Sequence, residues 1–323
     1  MKNDLMFNTP ILLIAFNRPD QTKIVFDQLK SLKPTKLFIA CDGPRNGNIT
    51  DKNDIDLIKK IVENVDWECE CKYQFQAVNL GCGRAPATAI SWFFEHVDKG
   101  IILEDDCVPT PSFFKFCEEM LIKYNENASI MAISGTNVSK NINFKTDYIY
   151  SSFPIMWGWA TWKRAWGKYD FEMREMTNVR ENKNLITHGI YNWRIHPVFN
   201  ELFESTYNNI SLNKIDVWDH QWIFCNWLNN GLTVTSTRNL IHNIGFGEKA
   251  THTFNDDLKR SNLGTYFSYP PYKGPSKLIA NKEFDKFIAQ KWFTATWLYY
   301  FKIQLLKFRI IKFTWTLIKK QIR

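Results

Sequence analysis

Three consecutive carboxylates, Glu104, Asp105 and Asp106, directly follow the apolar run Ile101–Leu103. Negative charges this close together repel one another unless a cation or solvent compensates them. A hard divalent ion such as Mg²⁺ or Mn²⁺ is commonly held by one or two carboxylates together with substrate phosphates. Asp106 and Asp105 are therefore candidate ligands of a divalent metal ion. A solvated acidic turn ahead of a helix at Ser112 is the alternative interpretation.

A second acidic group lies far along the chain, in the segment Trp218-Asp219-His220-Gln221-Trp222. A carboxylate near a reacting hydroxyl is suited to remove its proton as a general base. Asp219 is a candidate carboxylate for such a role, with Asp216 as the second choice. The competing interpretation is that Asp219 simply begins a helix, as aspartate often does.

These acidic groups need a scaffold, and the first 135 residues alternate short apolar runs with stretches of helical periodicity. This alternation is typical of a layered α/β sheet. The strands are predicted at Ile11–Phe16, Leu37–Cys41, Tyr73–Ala77, Ile101–Glu104 and Ile130–Ser134. The helices are predicted at Gln21–Leu32, Asp51–Val65, Pro86–Val97 and Ser112–Tyr124. Polar residues follow several of these strands, at the edge where open α/β sheets bind ligands.

Tryptophans are concentrated between Trp157 and Trp166, where four occur within ten residues. Aromatic rings stack on sugars, so Trp157 and Trp159, together with Trp218, are candidate contacts to an acceptor saccharide. The alternative is that most of these rings belong to the core.

The formal net charge of +8 is located at the end of the chain. Residues 285–323 contain nine basic side chains and one acidic one, whereas residues 1–284 are balanced. A nucleic-acid-binding domain usually spreads its basic groups over the folded body, so this function is disfavoured. The seven cysteines are an odd number without disulfide or zinc spacing, which favours a reducing cytoplasm.

The C-terminal residues 283–323 mix lysines with aromatic and aliphatic side chains, and no charge-free stretch is long enough to cross a membrane. This composition predicts a helical tail lying in an anionic membrane interface. A helix packed on the body or on a partner is the alternative. The polar, proline-rich residues 256–282 are predicted to link the body to this tail.

The run Ile102–Phe114 resembles the strand, Glu-Asp-Asp and following Pro-x-Phe-Phe helix of the N-acetylglucosaminyltransferase I family, and more broadly the GT-A glycosyltransferases. The Trp218–Trp222 segment is similar to the Trp-Asp-Asp-Trp of the same family, with one extra residue before the second tryptophan. Residues 245–252 resemble the loop that closes over the donor, and residues 79–85 resemble a segment of related bacterial glycosyltransferases.

The resemblance implies a GT-A domain over residues 1–255, with a nucleotide-sugar half at 1–135 and an acceptor half at 136–255. It also implies a set of residues that contact the nucleotide-sugar donor. These are Asn17 and Arg18 after the first strand, Asp42 at the nucleobase, Arg84 near the diphosphate, Asp105 at the ribose or a metal-bound water, and Lys249 and His252 in the closing loop.

The function implied is a metal-dependent inverting glycosyltransferase using Mn²⁺ or Mg²⁺. It would move a sugar from a UDP-sugar, with UDP-GlcNAc favoured, to a hydroxyl of a glycan. The basic tail suggests a lipid-linked acceptor at the cytoplasmic face of a membrane, in bacterial surface polysaccharide synthesis. Two alternatives stay open: a nucleotidyltransferase that makes the sugar nucleotide, and a non-catalytic carbohydrate- or membrane-binding protein on a degenerate GT-A fold.

Overall fold

The computed structural model describes residues 7–139, 142–181, 196–210, 212, 216–245, 264–293, 301 and 305. The strands are β1 Ile11–Ala15, β2 Lys36–Cys41, β3 Glu70–Phe75, β4 Lys99–Glu104, β5 Cys107–Pro109, β6 Ile130–Ser134, β7 Tyr148–Ser151, β8 Trp159–Trp162, β9 Leu232–Ser236 and β10 Ile241–Asn243. The helices are α1 Pro19–Leu32, α2 Ile49–Val62, α3 Gly81–His96, α4 Pro111–Lys123, α5 Lys163–Trp166, α6 Met176–Glu181, α7 His196–Ile210, α8 Asp219–Leu228 and α9 Lys282–Lys291.

Eight of these strands form one mixed sheet in the order β3-β2-β1-β4-β8-β6-β9-β7. Strands β3, β2, β1 and β4 are parallel, and β8 runs antiparallel between β4 and β6. Strands β5 and β10 pair separately as an antiparallel ribbon. The expected α/β fold, a mixed Rossmann-like sheet flanked by helices, is confirmed. Because the parallel strands end at one edge, the residues that follow β1, β2 and β4 are brought together there.

The central strand β1 is buried along its whole length, and its alternate residues face two different cores. Ile11 and Leu13 belong to the core covered by α1, α2 and α4. Leu12 and Ile14 belong to the core covered by α3 and α8. A strand buried on both faces needs an uninterrupted apolar run, which is why β1 has no polar alternation.

Several element boundaries differ from the sequence prediction, and the largest difference is at the start of α3. Strand β3 begins three residues earlier than expected, with Glu70 opposite Lys36 of β2. Helix α3 begins at Gly81, five residues before the predicted start at Pro86. The early start is stabilised by the carboxylate of Asp216, which accepts the backbone N–H groups of Cys82 and Gly83.

The beginning of the predicted tail is packed on the body. Phe284 and Ile288 of α9 are fully buried in a second apolar core with residues of α7 and α8. Asp285, on the same helix, is buried and accepts hydrogen bonds from Ser151 Oγ at 2.6 Å and Ser152 N at 3.0 Å. Burial raises the pKa of Asp285 to about 6. This docking matches the packed-helix alternative for residues 282–293.

Residues 264–281, which we call the strap, lie within the segment predicted as a linker. The strap runs along the body, and its backbone N–H groups donate to Ser112 Oγ, Glu119 Oε1 and Asp147 Oδ2 at 3.0, 3.2 and 2.8 Å. Within the described part of the chain, none of the helices is both long and apolar enough to cross a bilayer.

Candidate functional site

The acidic residues after β4 are held by an arginine from the neighbouring strand. Arg18 follows β1, and its guanidinium forms an ion pair with Asp105 Oδ1 and lies 3.0 Å from Asp106 Oδ2. The backbone N–H of Phe16 also lies 3.4 Å from Asp105 Oδ2. The positive charge that the acidic motif requires is thus supplied, in the described chain, by Arg18.

The charges of this cluster shift the pKa values of Glu104, Asp105 and Arg18. Burial raises the pKa of Glu104, and the nearby carboxylates of Asp106 and Asp105 raise it further. Burial also raises the pKa of Asp105, while Arg18 opposes the rise. For Arg18, burial favours the neutral form, but its ion pairs with both aspartates outweigh burial and raise its pKa. Removing Arg18 would therefore leave the carboxylates of Asp105 and Asp106 without their described cation, in a mostly buried position.

The donor set is compatible with a hard divalent ion. Asp106 and Asp105 supply carboxylate oxygens, and the Asp106 side chain retains some exposure. Among the residues that the structure describes, no three histidine, cysteine or acidic side chains converge on a metal position. The protein therefore offers Asp106, with Asp105 beside it, and the remaining ligands would come from substrate phosphates and water. Gly245 packs against Asp106: a Cβ added there would lie 2.1 Å from Asp106 Oδ2.

Asp42, after β2, fixes the loop that leads into α3. Its carboxylate accepts the N–H groups of Gly43 and Leu80 at 2.8 Å and of Gly81 at 3.1 Å. The side-chain amide of Asn79 donates to it at 2.8 Å. Burial raises the pKa of Asp42, and the backbone hydrogen bonds oppose that rise. Asp42 thus holds this loop in position through its hydrogen bonds. The resemblance predicts that the same residue contacts the nucleobase of the donor.

Asn17 is engaged with α2. Its side-chain amide donates to Asp51 Oδ1 at 2.9 Å, and Arg45 donates to both Asp51 oxygens through Nε at 2.6 Å and Nη2 at 2.7 Å. The loops that follow β1 and β2 are thereby joined through one buried carboxylate. Sequence reasoning missed this link, although the spacing of Arg45 and Asp51, either side of the start of α2, was a signal for it.

The Asp51 contacts predict a specific pH dependence of stability. The hydrogen bond from Arg45 lowers the pKa of Asp51 to about 2, against the opposing effect of burial. An unfolded aspartate titrates near 3.9, so the stability supplied by Asp51 is present above about pH 4 and is lost as the pH falls toward 2. The unfolding free-energy difference between wild type and Asp51→Asn should be constant from about pH 5 to 7 and shrink below pH 4, as measured by urea denaturation.

Asp27→Asn is a suitable control, because Asp27 forms only an exposed ion pair with Lys23 on α1. It should have a small effect at every pH. A difference for Asp51→Asn that grows as the pH falls would contradict the assigned contacts.

Asp219 and Asp216 occupy different environments. Asp219 is the first residue of α8, as the helix-start interpretation expected, and its Oδ1 accepts the N–H of His220 at 2.9 Å. It lies close enough to Glu104 and Cys82 for its charge to raise the pKa of both side chains. Asp216 is exposed, and its carboxylate caps α3. The ring of His220 contacts Thr206 Oγ1 at 3.0 Å, which fits the structural role expected for it.

The three candidate acceptor tryptophans differ in exposure. Trp159 and Trp218 are buried and stack on each other, with ring centroids 5.8 Å apart. Their rings therefore pack in the core below the site. Trp157 is only partly buried, and its ring lies 4.9 Å from that of Trp292, just after α9.

Of the three cations predicted near the phosphates, only Arg84 lies in the described chain. Arg84 Nη2 forms an exposed ion pair with Glu172 at 2.8 Å, and its guanidinium lies over the ring of Phe171. Lys249 and His252 lie outside the described residues. The described chain before them ends at Gly245, which lies beside Asp106.

No protein-family model matches the chain, and no curated protein matches it. Among solved structures, it is similar to the inositol-1-phosphate CTP transferase from T. maritima, with 8% identity, a TM-score of 0.35, and coverage of 72% of this chain and 86% of that one. A protein described as a glucose-1-phosphate thymidylyltransferase from Bacillus anthracis shows 11% identity and a TM-score of 0.30, over 75% of this chain and 98% of that one.

A UDP-glucose pyrophosphorylase complexed with UDP-glucose shows 11% identity and a TM-score of 0.23, over 44% of this chain and 62% of that one. These three structures carry names of nucleotidyltransferases, not glycosyltransferases. At these TM-scores the likeness carries no assignment of activity, so the function has to be argued from the residues of the site.

Proposed function

We propose that this protein is a nucleotide-sugar-dependent glycosyltransferase of the GT-A type. The observation that carries the proposal is the meeting of Asp106, Arg18 and Gly245 at the edge of the sheet where β1 and β4 end. Asp219 lies within electrostatic range of the same acidic cluster. One group of charges is thus available for a leaving diphosphate, and a separate carboxylate is available for an attacking hydroxyl.

On the donor side, a divalent ion held by Asp106 and Asp105 would act as a Lewis acid on the diphosphate. Arg18 pairs with both carboxylates and orients them. Arg84 is exposed and could exchange its surface partner Glu172 for a phosphate oxygen. Lys249 and His252 follow Gly245 by four and seven residues in the sequence, and we propose that they contact the same phosphates.

On the acceptor side, Asp219 would take the proton of the acceptor hydroxyl as that oxygen attacks the anomeric carbon. The new carbon–oxygen bond forms as the bond to the diphosphate breaks, so a single displacement inverts the anomeric configuration. Trp157 is the tryptophan we propose for contact with the acceptor, because it alone of the three candidates is not fully buried.

Nucleotidyl transfer is the second candidate, and the three named structures belong to this class rather than to the glycosyltransferases. A nucleotidyltransferase needs a glycine-rich, basic loop after the first strand to surround a triphosphate. Here β1 is joined to α1 by three residues, Phe16-Asn17-Arg18, and Arg18 is paired with carboxylates. This short connection favours glycosyl transfer.

Product identity separates the candidates. The chain is incubated with UDP-, GDP- and dTDP-sugars and a glycan acceptor, with and without Mn²⁺, and separately with nucleoside triphosphates and sugar phosphates. Metal-dependent release of a nucleoside diphosphate is the expected result. Release of pyrophosphate from a triphosphate would instead establish nucleotidyl transfer, and binding of neither kind of donor would favour a non-catalytic role.

We further propose UDP-GlcNAc as the donor and a lipid-linked glycan of a bacterial surface polysaccharide as the acceptor. The basis is the resemblance of the Glu-Asp-Asp segment and the basic, aromatic composition of residues 283–323. The tail would hold the enzyme on the cytoplasmic face of the membrane. Faster transfer to a lipid-linked acceptor in anionic vesicles than to the same glycan free in solution would support this arrangement, and equal rates would refute it.

A further inference from the structure

The strap exposes large apolar side chains close together in the sequence. Phe267 is 67% exposed and Tyr269 is 74% exposed, and Tyr266, Leu278 and Ile279 are exposed as well. Single exposed apolar residues are ordinary, but a concentrated group on a soluble body indicates an interaction surface.

The exposure of these rings does not come from a loosely held backbone. The N–H of Tyr266 donates to Asn239 O at 2.9 Å, and the N–H of Ser268 donates to Ser112 Oγ at 3.0 Å. Tyr272 is buried, with its ring edge-on to Phe116 at a centroid distance of 5.2 Å. The body thus holds the strap by its main chain and one anchoring ring, and leaves Phe267 and Tyr269 in solvent.

The charge of the strap favours an anionic partner. It contains two lysines, Lys273 and Lys277, and no acidic residue. Residues 264–323 together contain twelve basic and two acidic residues, and one of these two, Asp285, is buried against Ser151 and Ser152. The nearest carboxylates of the body, Glu119 and Asp147, each accept one N–H group of the strap. Exposed aromatic rings interspersed with lysines, in a segment without acidic residues of its own, suit the headgroup region of an anionic bilayer, where rings enter the interface and lysines contact phosphates.

We propose that the strap is a membrane-contact surface in its own right, in which Phe267 and Tyr269 enter an anionic lipid interface and Lys273 and Lys277 contact its phosphates. The strap is bonded to Ser112 at the start of α4, six residues after Asp106, so this contact brings the candidate site close to the lipid surface. The proposal does not depend on which transfer reaction the protein performs.

The test uses the full chain and flotation with two kinds of vesicle, one of phosphatidylcholine and one in which part of that lipid is replaced by phosphatidylglycerol. Wild type should bind the anionic vesicles preferentially. The double variant Phe267→Ser, Tyr269→Ser should bind them roughly tenfold more weakly. The matched control is Ile24→Ser, Leu57→Ser, which removes two side chains that are 45% and 47% exposed on α1 and α2, and it should bind as wild type does.

A second pair of double variants tests whether vesicle binding depends on where the lysines lie or only on the net charge of the protein. The double variant Lys273→Glu, Lys277→Glu changes the net charge by the same amount as the double variant Lys52→Glu, Lys60→Glu. Only the first double variant lies in the strap. The strap pair should weaken binding more than the α2 pair does. Anionic vesicles should also slow chymotrypsin cleavage after Phe267, a readout specific to the strap; the bond after Tyr269 is not cleaved because Pro270 follows it.

Equal vesicle binding by the strap variants and their controls would overturn the proposal. So would self-association of the lipid-free wild type that the serine variant abolishes, because the strap would then be a contact between copies of this chain. No donor is present in the vesicle assay, and strap variants should release nucleoside diphosphate at the wild-type rate with a soluble acceptor. Failure of this inference and failure of the proposed function are therefore distinguishable.

Discussion

Asp219→Asn is expected to lower the transfer rate by about 10²- to 10⁴-fold while donor affinity stays near that of wild type. The amide has nearly the shape of the carboxylate but cannot take up the proton of the acceptor hydroxyl. The change should be tolerated by the fold, because the described hydrogen bond of Asp219 comes from the N–H of His220, and an amide oxygen also accepts it. Initial rates of nucleoside diphosphate release, with donor affinity measured separately, test this prediction.

Asp216→Asn is the matched control, because it makes the same chemical change three residues away. Its carboxylate accepts the N–H groups of Cys82 and Gly83 at 2.6 and 2.5 Å, so its expected effect is on the start of α3. We expect a loss of about 1 kcal/mol in unfolding free energy and only a small change in rate. A large rate loss in Asp216→Asn, with Asp219→Asn retaining activity, would assign the base to Asp216 instead.

Arg18→Met is expected to lower the free energy of unfolding by about 3 to 5 kcal/mol. The substitution preserves most of the side-chain volume but removes the charge that compensates Asp105 and Asp106. Asp105 is almost fully buried, so its carboxylate would then have to take up a proton or draw water into the site. Urea denaturation at neutral pH measures the loss, which should lessen as the pH falls and Asp105 becomes protonated.

Two further variants make the test specific. Arg174→Met removes an exposed ion pair with Asp170 and should cost less than about 1 kcal/mol. In the double variant Arg18→Met, Asp105→Asn, one of the uncompensated charges is gone, so its loss should be smaller than the sum of the single losses. An Arg18→Met effect no larger than that of Arg174→Met would show that the pairing contributes nothing to stability.

Much of the first half of the fold could be predicted from its sequence because local patterns and global structure agree there. The apolar run of β1 predicts a strand, and the helices predicted at Gln21–Leu32 and Ser112–Tyr124 lie within one or two residues of those bounds. The start of α3 could not be predicted, because its cap, Asp216, comes from 134 residues later in the chain than Cys82. Such a long-range contact forms only in the folded protein.

The partners of the candidate site residues could not be predicted from the sequence. The Glu-Asp-Asp motif predicts a compensating cation, yet nothing local indicates that Arg18, 87 residues earlier, pairs with it. That contact follows from the adjacency of β1 and β4, which is a property of the strand order. The tryptophan cluster is recognisable in the sequence, but the sequence does not show which of its rings is buried. Burial of Trp159 and partial burial of Trp157 depend on packing against α8 and against the residues after α9.

The docking of α9 has a practical consequence for shortening the chain. Ending it before α9 would remove Phe284 and Ile288 from the second core and leave Ser151 and Ser152 without the carboxylate that they contact. Phe293 also stacks on Phe153, with ring centroids 5.6 Å apart. Residues 294–323, by contrast, carry seven basic residues and no acidic one. A truncation after Phe293 therefore separates the charged C-terminus from the hydrophobic interior, whereas an earlier one would confuse loss of lipid affinity with loss of folding.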